Sequence, residues 1–223
     1  MKNRIFWLLI GVWGVGSSGT PTQQELWQRV RLSRLCADGW IPLCLEETEQ
    51  KRVVYYRGLE KAGLGDVGPV AEELFVSVLE AEKKYGLDYR LLTSVAVTES
   101  ALDQSAVSPK GARGLLQILP ETAQHLWPGF IATLEPGDPL LDLDPVLDAY
   151  NLRLSVMLGA FYLSQLQRHF EGDQGFALAS YNVGPGRLKK ALKEGEFIGQ
   201  GYVQKVRRVL RRFDTNHFIT TRS

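Results

Sequence analysis

The chain of 223 residues is long enough for one domain with a hydrophobic core and shorter than two domains usually need. Its 44% hydrophobic and 23% charged residues are typical of a globular protein. The 26 basic and 25 acidic residues nearly cancel, so the charge favours neither a nucleic-acid partner nor an acidic disordered tail.

The N-terminus has the three parts of a secretory signal peptide. Lys2 and Arg4 form a positive start, an apolar run covers 5–15, and small residues follow at 16–19. The run is shorter than the roughly 20 apolar residues that span a bilayer, and an uncleaved N-terminal anchor is the alternative. We therefore expect residues 1–19 to be a signal peptide and the chain to be exported to the periplasm or cell envelope.

Residues 20–68 are predicted to form an N-terminal helical extension. Cys36 and Cys44 lie close together within it, which in an exported chain favours one disulfide, with two buried free thiols as the alternative. The cysteines and the scattered histidines show no metal-ligand spacing, so we expect no metal and no cofactor.

A stretch rich in glycine and proline at 63–69 marks the start of the main domain, which we place at 69–213, followed by a C-terminal tail at 214–223. Apolar residues recur at helical spacing through this domain, so the fold class is mainly α. The cap residue Asp88 opens the helix that ends near Glu99, and Pro120 opens another. Further helices are predicted at 69–85, 145–170 (capped by Asp144), 176–180, 187–194 and 200–212, with a loop at 128–143, a turn at 181–186 and a small β or turn element around 106–118.

Glu99 directly follows the apolar helix face at 91–97. Loss of water around a carboxyl group raises its pKa, and an acid kept partly protonated near neutral pH can protonate a glycosidic oxygen. An isolated glutamate at the end of a helix is more often an ordinary surface residue. The surrounding motifs therefore decide whether Glu99 is interpreted as a catalytic acid.

Three motif blocks accompany this glutamate. They are the pair Glu99-Ser100, the stretch SPKGARGLLQ at 108–117, and ASYNVGPG at 179–186. Together, and in this order, they resemble the soluble lytic transglycosylase family (the SLT domain), which is related in fold to goose-type lysozyme. The resemblance covers roughly 69–212 and implies a lysozyme-like helical domain.

The resemblance also implies roles for matching residues. Glu99 matches the family's catalytic acid/base. Residues expected to contact the sugar or to shape the cleft are Ser100, Ser108, Gly114, Gln117, Tyr181 and Asn182.

Some positions depart from the family pattern. Leu116 stands in place of a methionine, and Ser180 in place of an alanine. The family often carries an asparagine near a glycine of the long helix, here Gly159, and both Ser155 and Asn151 are candidates for that position.

The resemblance implies a peptidoglycan lytic transglycosylase that cleaves the β-1,4 bond between N-acetylmuramic acid and N-acetylglucosamine without water and releases 1,6-anhydro products. One glutamate serves as acid and base, and the nearest acidic residue, Asp103, is interpreted as a solvated loop residue. The alternatives are a lysozyme-type hydrolase and a non-catalytic peptidoglycan-binding envelope protein. The expected partners are glycan strands and an envelope protein complex rather than nucleic acid, and the chain is expected to act as a monomer.

Overall fold

The computed structural model describes residues 47–65 and 68–213. The predicted signal peptide, the two cysteines Cys36 and Cys44, and the tail at 214–223 lie outside the described residues, so those assignments stay predictions. Within the described part, no helix combines the length and the apolar character needed to cross a membrane.

The described residues form a helical domain, which confirms the mainly α prediction. The turn element expected around 106–118 consists of two isolated antiparallel bridges, Val107 with Arg113 and Arg113 with Ile118. The helices are α1 (Glu47–Lys61), α2 (Gly68–Tyr85), α3 (Tyr89–Ser100), α4 (Pro120–Ile131), α5 (Leu152–His169), α6 (Gln174–Val183), α7 (Pro185–Lys193) and α8 (Gln200–Leu210), with short 3-10 helices at Pro139–Asp142 and Arg211–Phe213.

The long helix α5 lies at the centre of the domain. Its middle section is apolar or small on every side, and residues from Leu154 to Phe161 are buried. A helix that is apolar all round must be covered by others. Helices α2, α4 and α6 pack directly against α5, while α3 packs between α2 and α8 and carries Glu99 at its end.

Helix α1 packs into the same core. The Tyr55 side chain is fully buried, its hydroxyl donates a hydrogen bond of 2.8 Å to the carbonyl of Ala71, and its ring lies 5.0 Å from that of Phe75. Gly58 gives the Phe213 ring room, since a Cβ at this glycine would lie 2.1 Å from the ring. Helices on either side of the predicted boundary at 68/69 therefore share one core, and the division itself stays a prediction.

Two predicted helix limits differ from the structure. The loop predicted at 128–143 begins too early, because α4 continues through Pro128 to Ile131, where the fully buried Phe130 anchors the last turn.

The long helix begins at Leu152 rather than at 145, because the side chain of Asn151 accepts a hydrogen bond from the Leu154 N–H group at 2.9 Å. Asp144 caps only the separate turn that precedes α5. Its carboxylate accepts hydrogen bonds from the N–H groups of Val146 and Leu147, at 2.7 and 2.8 Å.

The predicted turn at 181–186 is also partly helical. Helix α6 runs through Tyr181 and Asn182 to Val183, and Gly184, with φ of 86°, ends it. The Tyr181 hydroxyl donates a hydrogen bond to a backbone carbonyl of another segment, so this last turn of α6 also has a tertiary contact. The turn signal in the sequence therefore reduces to Gly184 and the Pro185 that opens α7.

Candidate active site

Glu99 lies in the last turn of α3 and is half-buried. Burial raises the pKa of its carboxyl group, and a hydrogen bond from Tyr202 offsets part of that rise. The two residues after Ser100, Ala101 and Leu102, both have positive φ, at 51° and 67°. Positive φ at two successive side-chain-bearing residues is strained, and it occurs here at the turn that follows α3, where Leu102 is buried.

Tyr202 is the direct partner of this carboxylate. Its hydroxyl donates a 2.6 Å hydrogen bond to Oε1 of Glu99. Burial, followed by the nearby charge of Glu99, raises the pKa of Tyr202 well above its usual value, so the phenol stays protonated and remains a donor. Gly199, with φ of 83°, opens α8 so close to Ala179 that a Cβ at this glycine would lie 3.0 Å from the Ala179 Cβ.

The sequence interpretation did not single out Tyr202. It belongs to a short, strongly basic helix, and 103 residues separate it from Glu99. The sequence signal at this position was the pattern of an amphipathic helix, whose buried face consists of Tyr202, Val203 and Val206. That pattern predicts burial but does not identify a partner.

A loop at 114–117 lies between Glu99 and the central helix. The Ser100 hydroxyl lies 3.0 Å from the carbonyl oxygen of Leu115 and 3.1 Å from that of Ala96. The Tyr181 hydroxyl donates to the carbonyl of Leu116 at 2.8 Å. Ser100 and Tyr181 therefore fasten this loop to the ends of α3 and α6. Burial, followed by the charge of Glu99, raises the pKa of Tyr181 well above its usual value.

Gly114 allows the loop to approach the core. Its φ is 73°, and a Cβ there would lie 2.3 Å from the carbonyl oxygen of Ala149 and 3.0 Å from Oγ of Ser155. Gln117 also has positive φ, at 49°, and its amide nitrogen donates to the carbonyls of Ala106 at 3.0 Å and Gly114 at 2.9 Å. These bonds leave the amide oxygen of Gln117 as the group able to accept a hydrogen bond from a ligand.

Asn151 and Ser155, the two candidates for the family's asparagine position, have different contacts. Asn151 caps α5, whereas Ser155 is buried and its Oγ accepts the Leu116 N–H bond at 3.1 Å. One turn further, a Cβ at Gly159 would meet the Cβ of Leu116 at 2.8 Å. Ser155 and Gly159 together therefore support the 114–117 loop from the central helix.

Ser108 and Asn182 are more peripheral. The Ser108 hydroxyl accepts the Ala112 N–H bond at 3.0 Å and its backbone N–H donates to the Ala112 carbonyl at 2.9 Å, which closes the turn of the second motif. Asn182 is exposed on α6 beside Tyr181. Within the described residues, no hydrogen bond joins Ser108 or Asn182 to Glu99.

Asp103 does not act on Glu99. It is exposed, and its carboxylate accepts hydrogen bonds from the backbone N–H and hydroxyl of Ser105 at 2.8 and 2.7 Å, which lower its pKa. The shift in the pKa of Glu99 arises from burial and from Tyr202, without a contribution from another carboxylate of the described residues. The site therefore presents one carboxyl group with a tyrosine donor.

Comparison with known proteins identifies a family for this chain. The Transglycosylase SLT domain matches residues 77–199. A membrane-bound lytic murein transglycosylase F of Alkalilimnicola ehrlichii is 35% identical over 118 residues, or 50% of this chain and 20% of that protein. One of Thiobacillus denitrificans is 29% identical over 181 residues, covering 75% of this chain and 33% of that protein. The chain thus spans a third or less of the length of these relatives.

Two solved structures have a similar fold. One is the lytic transglycosylase Slt of Pseudomonas aeruginosa, in an inactive mutant form, with a TM-score of 0.53 and 20% sequence identity. The matched region covers 87% of this chain and 34% of the Pseudomonas chain. The other is the 70 kDa soluble lytic transglycosylase of Escherichia coli, with a TM-score of 0.52 and 20% sequence identity. The matched region covers 97% of this chain and 34% of the Escherichia coli chain. Identity this low supports the helical fold alone.

Proposed function

The chain belongs to the transglycosylase SLT family, and on that premise we propose that it cleaves the glycan strands of peptidoglycan without water, using Glu99 as both acid and base. The observation that carries this proposal is the state of Glu99. Burial raises the pKa of its carboxyl group, and the described residues supply no second carboxylate that acts on it. Glycoside hydrolysis ordinarily uses a pair of carboxyl groups.

Glu99 would act twice in this reaction. Tyr202 holds Oε1 through its 2.6 Å hydrogen bond, which leaves Oε2 to carry the proton. That proton passes to the glycosidic oxygen between N-acetylmuramic acid and N-acetylglucosamine as the bond to the anomeric carbon breaks. The acetamido group of the substrate stabilises the positive charge at that carbon. The Glu99 carboxylate then removes the proton of the muramic C6 hydroxyl, whose oxygen bonds to the anomeric carbon and closes the 1,6-anhydro ring.

The other predicted site residues divide between contact and support in this proposal. Ser108, Gln117 and Asn182 present polar groups that suit sugar hydroxyls. Ser100, Gly114 and Tyr181 hold the 114–117 loop in place through the bonds and the close approach described above. We expect substitutions in the first group to weaken substrate binding and those in the second to disturb the loop.

The test is digestion of purified peptidoglycan sacculi, with the soluble products identified by mass spectrometry. General acid/base catalysis contributes at least about a hundredfold to rate, so Glu99→Gln should lower product release by that factor or more. Glu135→Gln, which alters an exposed carboxyl group elsewhere, is the matched control. Anhydro products that depend on Glu99 support the proposal.

Other outcomes point to the alternatives. Products one water heavier would assign the chain to hydrolysis. Binding to sacculi without release of fragments, by the parent and the variant alike, would favour a non-catalytic role. Undiminished cleavage by Glu99→Gln would remove Glu99 from the acid/base role.

The location of this activity follows from its substrate. We propose that the chain acts in the cell envelope after export, as the signal-like residues 1–19 predict. A fusion of residues 1–19 to a reporter enzyme that is active only outside the cytoplasm tests this. An inactive fusion would contradict export by this segment.

A further inference from the structure

A cavity of about 410 Å³ opens at the end of α3 opposite the active site. Arg90 lines it, and nine residues separate Arg90 from Glu99 on the same helix, about 13 Å at the α-helical rise of about 1.5 Å per residue. The proposed acid/base role of Glu99 does not use this cavity. The cavity is therefore a separate candidate site.

Among the described residues, the lining of the cavity contains three arginines, Arg90, Arg207 and Arg211, and one carboxylate, that of Asp88. Arg90 is paired with Asp88, with Nη2 to Oδ2 at 2.5 Å and Nε to Oδ1 at 3.0 Å. Arg207 and Arg211 lie one helical turn apart, are exposed and also line the cavity. Within the described residues, neither of these two forms an ion pair or a hydrogen bond. Like charges one helical turn apart repel each other, so an anion bound between the two guanidinium groups would reduce this electrostatic repulsion.

Gly175 lies next to one of these arginines. A Cβ at Gly175 would lie 3.4 Å from Nη2 of Arg207 and 3.2 Å from Oδ1 of Asp173. Oδ1 of Asp173 accepts the Phe176 N–H bond at 2.8 Å as the cap of α6. The Arg207 guanidinium therefore lies beside the start of α6, at about van der Waals distance from where a Cβ of residue 175 would be.

The rest of the lining indicates what kind of anion fits. Leu91 and Leu210 provide an apolar wall, and Gln174 provides an amide that can both donate and accept. The planar guanidinium group of an arginine binds a carboxylate through two parallel hydrogen bonds. The paired Asp88 carboxylate at the rim makes the cavity less suited to a doubly charged phosphate.

We infer that this cavity binds the free C-terminal carboxylate of a short peptide that has small apolar side chains. Arg207 and Arg211 hold the carboxylate, Leu91 and Leu210 contact the terminal methyl group, and Gln174 bonds the preceding peptide unit. Peptides attached to peptidoglycan end in alanine carboxylates, so the wall itself supplies such a ligand. The identity of the ligand rests on the proposed function, and the site would bind the peptide of the strand being cut or of a neighbouring strand.

The test is calorimetric titration of the full chain with N-acetyl-D-alanyl-D-alanine and, as a matched probe, with its C-terminal amide. We expect the amide to bind about tenfold more weakly than the acid, because it lacks the charge that the guanidinium groups recognise. Arg207→Gln and Arg211→Gln should each weaken binding of the acid by about tenfold. Arg208→Gln lies on the same helix, does not line the cavity and should bind like the parent.

Several results would overturn the inference. These are absence of binding, equal affinity for acid and amide, equal losses in Arg207→Gln and Arg208→Gln, or inorganic phosphate bound more tightly than the peptide. Thermal unfolding of each variant shows whether it is folded. The probe contains no glycosidic bond, so this experiment can fail while the cleavage proposal stands, and the reverse is equally true.

Discussion

The hydroxyl of Tyr202 and Oε1 of Glu99 are 2.6 Å apart, although Tyr202 lies on α8 and Glu99 lies on α3, far away in the sequence. Two effects on the pKa of Glu99 oppose each other here. Burial favours the protonated acid needed to attack a glycosidic bond, and the tyrosine donor stabilises the carboxylate that must take a proton back. A group that acts as acid and then as base needs both forms to be accessible.

Tyr202→Phe tests this balance. Loss of the donor destabilises the carboxylate, so the pKa of Glu99 rises further and the alkaline limb of the kcat/KM profile moves to higher pH. We also expect kcat/KM at its optimum to fall by about tenfold, since hydrogen bonds to charged groups contribute about 1.5–3 kcal/mol.

The control is Tyr85→Phe, which removes a hydroxyl that lies 3.1 Å from Oγ1 of Thr133 and touches no site residue. A purely structural role for Tyr202 would lower activity without moving the alkaline limb. An unmoved limb in Tyr202→Phe would therefore contradict the assignment.

Gly114→Ala should destabilise the domain by about 2–5 kcal/mol, which combines the cost of a left-handed side-chain-bearing residue with that of overpacking. The added methyl would meet the Ala149 carbonyl oxygen at 2.3 Å, so the backbone must move. Chemical denaturation measures the free energy of unfolding. Gly186→Ala is the control, because a Cβ there meets nothing within 4 Å, and we expect its stability to be unchanged or up to about 1 kcal/mol higher. Equal effects of the two substitutions would refute the close-approach argument.

Features with local causes were predictable from the sequence. The Asp88 cap and the end of α3 at Glu99-Ser100 depend on neighbouring residues, and both agree with the structure. The start of α5 was misplaced because Asp144 and Asn151 both carry the signal of a cap. Local sequence does not choose between two such signals, and only the packing of the helix decides.

Contacts between distant segments were not predictable. The Tyr202 donor reaches Glu99 because α8 packs against α3 and α6, and packing between segments distant in the sequence has no local signature. The motif resemblance placed Ser100 and Tyr181 in the cleft. The structure adds that their hydroxyls lie within hydrogen-bonding distance of backbone carbonyls of the 114–117 loop.

Two buried serines should respond to alanine in opposite directions. The Ser180 hydroxyl is fully buried and finds no hydrogen-bond partner within 47–65 and 68–213, so Ser180→Ala removes a polar group that is costly to bury. We expect stability to be unchanged or to rise by about 1 kcal/mol. Ser155→Ala leaves the buried Leu116 N–H without its acceptor and should cost about 1–3 kcal/mol. Each serine thus serves as control for the other in the same denaturation series, and a loss on Ser180→Ala as large as that on Ser155→Ala would contradict the pattern.

Glu99 should also make stability depend on pH. Its pKa in the folded protein is raised from 4.5, so the folded state holds this proton to higher pH than the unfolded state does. The resulting stabilisation is complete below the unfolded pKa and is lost as pH rises through the folded pKa. Glu99→Gln has no such titration. We therefore expect the stability of this variant relative to the parent to increase as the pH rises above about 4.5 and to level off above the folded pKa.

Unfolding free energies of both proteins, measured across this pH range, give the difference directly, because the other titrating groups are common to both. Glu135→Gln, which removes an exposed carboxyl group, is the control measured in the same series. A flat difference for Glu99→Gln would mean that the carboxyl group is solvated in the folded protein. That result would remove the physical basis for keeping Glu99 protonated as the acid, whatever products the sacculi release.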